Sequence, residues 1–126
     1  MVMRNPELFL LGVALACLPT TQALAQQNWS LLGSSQGGSL YYDATSVTRD
    51  GTTVRVWVKR EPARQDNGIA YFVSQAEIDC DRRMAHIIYT ASYNEAGAVV
   101  ERDQDPVPAE PIPPGTFFDG LRERVC

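Results

Sequence analysis

The chain is short of the residues that usually carry chemistry. It has one histidine, His86, and three cysteines, Cys17, Cys80 and Cys126. A lone histidine with no partner at a readable spacing gives Ser-His-Asp catalysis no footing. No CxxC spacing occurs, so a thiol-redox motif is absent. The close acidic pairs Asp79–Asp81 and Asp103–Asp105 sit in no EF-hand loop, and no metal site is read from them. Gly33 and Gly37-Gly38 do not open a helix, so no phosphate-cradling loop is present. No cofactor is expected. Basic side chains are outnumbered, 11 against 15 acidic, for a net charge of −4. Without a basic run, nucleic acid is not an expected partner. No apolar run approaches the roughly 20 residues of a membrane-spanning helix.

The first residues carry an export signal. Arg4 gives a positive start, an apolar run extends from Leu8 to Leu18, and Pro19 ends it. Ala23-Leu24-Ala25 then supplies small residues at the positions a signal peptidase reads. Residues 1–25 are therefore expected to be a signal peptide and 26–126 the mature domain. Cys17 offers a second reading. Ala14-Leu15-Ala16-Cys17 comes near a lipoprotein box, although the leucine sits one position late. If Cys17 were lipidated, acyl chains would anchor the domain to a membrane; otherwise it leaves with the signal. Two cysteines then remain, and in an oxidising compartment Cys80 and Cys126 most simply pair. Asn28-Trp29-Ser30 matches a glycosylation acceptor, relevant only to a eukaryotic secretory route.

The mature part reads as an α+β, mostly β domain: one antiparallel meander of about six strands with a C-terminal helix. Thr52 to Lys59 alternates most clearly, with Val54, Val56 and Val58 on one side and Arg55, Trp57 and Lys59 on the other. The valine side should face the core. Trp57 is then either a packing residue under aliphatic stems or an exposed contact residue. Strands are also expected near residues 28–32, 40–42, 47–48, 69–80, 84–93 and 98–102. On the 69–80 strand, Phe72, Ser74, Ala76, Ile78 and Cys80 share a face. Asp43 to Ser46 should form an Asx-type turn, and Asp50-Gly51 a hairpin turn. Residues 103–115 hold five prolines, which excludes a central strand and suggests an extended connector. Thr116 should cap a final helix whose stripe is Phe117, Phe118, Leu121 and Val125. That helix should pack on one sheet face, tied through Cys126 to Cys80. His86 reads as a packed or edge residue. Its catalytic alternative needs Asp79 or Asp81 as partner.

The order of several segments is familiar. Trp29 precedes Tyr41-Tyr42-Asp43-Ala44-Thr45-Ser46-Val47, then Arg49-Asp50-Gly51 and the strand from Val54 to Arg60. Glu77-Ile78-Asp79-Cys80 and Arg82-Arg83 follow, and then a proline-rich passage to Pro114-Gly115-Thr116 and Val125-Cys126. In that order they resemble the surface-adhesin protein E family of proteobacteria. The resemblance implies an antiparallel sheet with a disulfide-tied C-terminal helix, and possible homodimers. It implies a non-catalytic protein-binding module, adhesin-like, in the periplasm or at the cell surface of a Gram-negative bacterium. Partners would be host matrix and plasma proteins such as laminin and vitronectin, or an envelope protein. No binding residue of the family transfers to a numbered position here. A second reading is a periplasmic inhibitor of an enzyme such as lysozyme.

Overall fold

The computed structural model describes residues 27–126, so the signal peptide expected over residues 1–25, and Cys17 within it, lie outside the described residues. Strands β1 (Trp29–Ser35), β2 (Gly38–Asp43), β3 (Thr48–Asp50), β4 (Thr53–Pro62), β5 (Tyr71–Asp79), β6 (Met84–Tyr93), β7 (Val99–Asp103) and β8 (Glu110–Pro111) precede one helix, α1 (Phe117–Val125). All pairings are antiparallel. The main path runs β1-β2-β4-β5-β6-β7, with β3 added to β4 and β8 to β6.

The expected meander is present, but each outer edge of the central β4-β5-β6 ribbon is shared by two segments in series. β2 pairs with the second half of β4, and β3 with its first half. The chain crosses between them through a single 3-10 turn, Ala44–Ser46. The turn forms for the reason read from the sequence. Asp43 accepts hydrogen bonds from the Thr45 backbone N–H at 2.9 Å and the Thr45 hydroxyl at 2.6 Å. Ser46 then mends the interrupted ladder. Its hydroxyl donates to the Asp43 carbonyl at 2.7 Å and accepts from the Trp57 N–H at 3.0 Å. That N–H would otherwise face a gap with no partner.

The second shared edge uses the proline-rich segment. β7 pairs with the end of β6 and β8 with its start. Between and beyond the prolines, the Val107 N–H donates to the Ile87 carbonyl at 2.9 Å and the Ile112 N–H to the Arg83 carbonyl at 2.9 Å. The segment is thus an edge strap and not a free connector. Proline is tolerated there because only alternate donors are needed.

The core lies where the alternation placed it. Val54, Val56, Val58, Ala76 and Ile78 are buried under Leu121 and Val125 of α1. Phe118 also packs against this cluster. Phe117 departs from the expected stripe: it is 38% exposed, with its ring against Gly33. A side chain at Gly33, at the irregular point of β1, would meet that ring at 2.6 Å and require it to move. Thr116 caps α1 by accepting from the Asp119 N–H at 3.3 Å. Asp119 in turn accepts from the Gly115 N–H at 3.0 Å and from Arg122 at 2.9 Å. These donors, Gly115 first, hold its carboxyl below the usual carboxylate range. The far end of α1 is fixed twice: Arg49 donates to the Val125 carbonyl, and Cys126 is bonded to Cys80. The bridge closes a 46-residue separation with its Cα atoms 5.7 Å apart.

Candidate functional site

With α1 on the valine face, the opposite face of the sheet carries no helix among the described residues. Register decides what stands on it. Trp57 lies opposite Gln75, and Gln75 opposite Tyr89. Lys59 lies opposite both Tyr41 and Val73. Tyr71 lies opposite Tyr93, and Glu77 lies opposite Arg55 and His86. Both tryptophans of the chain and four of its five tyrosines therefore gather on one face.

These rings are locked against one another. Tyr71 and Tyr93 stack with centroids 4.9 Å apart and planes 9° apart. Trp57 meets Tyr89 edge-on at 5.8 Å and 84°. Trp57 is thus half-buried and held across the intervening strand by another ring. Lys59 stands at the centre of the second group. Its ammonium lies 5.5 Å from the Trp29 ring, 4.8 Å from Tyr41 and 5.5 Å from Tyr71. The Glu61 carboxylate approaches it at 3.5 Å and accepts the Tyr41 hydroxyl at 3.0 Å. That hydrogen bond pushes the Tyr41 hydroxyl above its ordinary pKa. Tyr71 is raised mainly by desolvation. A cleft of about 420 Å³ opens beside the lysine, walled by Trp29, Tyr71, Val73 and Tyr93.

The next group on this face is polar. Glu77 binds His86 Nε2 at 2.9 Å and Arg55 Nε at 2.8 Å. The His86 bond, then the Arg55 bond, hold the Glu77 carboxyl below its ordinary range. The catalytic alternative had offered Asp79 or Asp81 to His86, whereas the ladder gives it Glu77. Asp79 caps its own turn, accepting from the N–H groups of Asp81 at 3.1 Å and Arg82 at 3.0 Å. Asp103 does the same for Asp105 at 2.9 Å. A second, mainly apolar pocket of about 280 Å³ lies under the proline strap, lined by Ile87, Val107, Pro111, Ile112 and Phe118 among others.

The family model for surface-adhesin protein E matches residues 29–126, with both bridged cysteines inside the match. The chain belongs to the surface-adhesin protein E family. Its fold agrees with that of a solved member. The crystal form II structure of Haemophilus influenzae protein E superposes with a TM-score of 0.57 at 14% identity, covering 69% of this chain and 79% of that one. At that identity the likeness speaks for the fold. No curated protein matches the chain. Within this surface-adhesin E domain, the aromatic grouping is what the sequence reading lacked. Trp29, Tyr41 and Tyr71 were each visible, but only the register of β1, β2, β4 and β5 brings them to Lys59.

Proposed function

We propose that the chain is an exported, non-catalytic, adhesin-like module of the cell envelope that binds protein through its aromatic face. Residues 1–25 would be removed as a signal, leaving 26–126 as the binding domain. A lipid at Cys17 would hold it at a membrane; without one it would be periplasmic or shed. Membership of the surface-adhesin E family supports the class of function. The observation that carries the site is the gathering of both tryptophans and four of five tyrosines on the helix-free face. Tryptophan, tyrosine and arginine dominate binding hot spots, because large rigid rings lose little entropy on contact. Strands fix these rings before any partner arrives, which lowers the cost of association.

The test is retention of laminin, vitronectin or a periplasmic protein by immobilised mature domain. A retained partner should bind Trp57→Ala or Tyr71→Ala at least about tenfold more weakly, the scale of a hot-spot loss. Failure to retain any protein from either pool, or retention indifferent to both substitutions, would contradict the proposal.

A further inference from the structure

Lys59 is an unusual occupant for a ring of aromatics. Its side chain is only 17% exposed, and what it exposes lines the cleft. Three ring faces surround it at 4.8–5.5 Å and supply cation–π attraction. Ring faces do not replace hydrogen-bond acceptors, and an ammonium has three donors to satisfy. Among the described residues the only carboxylate paired with it is Glu61, at 3.5 Å and 43% exposed. Glu61 also accepts the Tyr41 hydroxyl at 3.0 Å, so its carboxylate is shared. A cation that lines an open, aromatic-walled cleft offers a charge-assisted hydrogen bond to an anion entering it. The cleft of about 420 Å³ beside it supplies the space, and Trp29, Tyr71 and Tyr93 supply apolar walls.

We propose that this cleft binds a carboxylate carried by a partner polypeptide, with Lys59 donating to it and the adjacent apolar side chain seated against Trp29 and the Tyr71–Tyr93 pair. The inference rests on the protein-binding reading of the same face and adds the chemistry recognised there. A cationic segment would meet the like charge of Lys59 in the cleft lining. A neutral apolar one would leave the ammonium as it is. The carboxylate could be a chain terminus or an acidic side chain, and the two are separable by probe.

The two tryptophans report the outcome, since Trp29 lines the cleft and Trp57 does not. Three probes would be titrated into 15N-labelled mature domain: N-acetyl-alanyl-tryptophan, its C-terminal amide, and N-acetyl-glutamyl-tryptophan amide. One or both acids should shift the Trp29 indole signal at millimolar concentration, and the neutral amide should bind about tenfold more weakly, as expected for loss of one charge-assisted hydrogen bond. Response to the first acid alone marks a chain terminus; response to the third probe marks an acidic side chain. Lys59→Gln should erase the difference between acid and amide. The comparison within the wild type needs no variant, so a folding defect in Lys59→Gln leaves the test intact. Equal binding of acid and amide, no Trp29 shift with any probe, or discrimination surviving in a folded Lys59→Gln would overturn the proposal. If the acids fail while Trp57→Ala still weakens a retained partner, only the carboxylate site falls. If both fail, the protein-binding reading falls too.

Discussion

Removing the disulfide should cost the domain much of its stability and release α1 first. The perturbation is the double substitution Cys80→Ala with Cys126→Ser in residues 26–126, which leaves that segment without a thiol. The bridge closes a 46-residue separation. On the chain-entropy model, its loss frees the unfolded ensemble by about 4 kcal/mol. Domains of this size hold roughly 5–15 kcal/mol in total. The helix itself has nine residues. Isolated helices shorter than about 12 residues are marginal in water, so without the bridge α1 depends on Leu121, Val125 and its caps. Those two residues are 0% and 2% exposed, and they also roof Val54, Val56 and Ile78. Fraying of α1 therefore uncovers the valine face. Urea unfolding followed by circular dichroism measures the effect. With a slope of about 1–2 kcal/mol per molar, the midpoint should fall by roughly 2–4 M. A shift below about 0.5 M, with the slope unchanged, would refute the reasoning.

Three smaller perturbations address separate parts of the structure. Glu77→Gln should flatten the acid limb of stability. Glu77 is depressed by His86 first and Arg55 second, so its contribution is present above the ordinary carboxyl range and is lost as pH falls through the lowered folded-state value. The difference in melting temperature between wild type and Glu77→Gln should accordingly shrink below about pH 4; a gap that stayed constant down to strong acid would contradict the assignment. Gly38→Ala should destabilise by about 2 kcal/mol. Gly38 has φ +135°, and an added Cβ would strike the Glu61 carbonyl; an unchanged melting temperature would show that this corner of β2 and β4 relaxes freely. Ser46→Ala should cost about 1–2 kcal/mol by leaving the Trp57 N–H without its acceptor. Hydrogen exchange should show that amide losing protection, and full protection in the variant would sink the bridging role of Ser46.

Local features were legible in the sequence, as were the Cys80–Cys126 bridge and the helix on the valine face, but the finer strand pairings were not. The alternation from Val54 to Lys59 located the core because a half-buried strand has period two. The Asp43 turn and the Thr116 cap follow from side chains reaching backbone groups two or three residues away. The prolines after Asp103 ruled out a central strand, but the donors at Val107 and Ile112 that make the segment an edge strap depend on where β6 lies. The serial placement of β2 and β3 along one edge of β4 is equally invisible without the sheet. His86 illustrates the limit best. Sequence proximity pointed to Asp79 and Asp81, while a register shift in the β5–β6 ladder after Gln75 sets His86 opposite Glu77. The group around Lys59 joins residues from four strands, so no spacing along the chain could reveal it.

Two signals test whether the aromatic face is the one that binds. Both tryptophans, Trp29 and Trp57, stand on the side of the sheet away from α1. Their indole N–H resonances in 15N-labelled residues 26–126 should be followed while an unlabelled retained partner, laminin or vitronectin for instance, is added. Contact through the aromatic face predicts that both signals shift or broaden before those of α1 and the proline strap. Unmoved indoles, with changes confined to Phe117–Val125 or to residues 104–113, would place the partner elsewhere and contradict it.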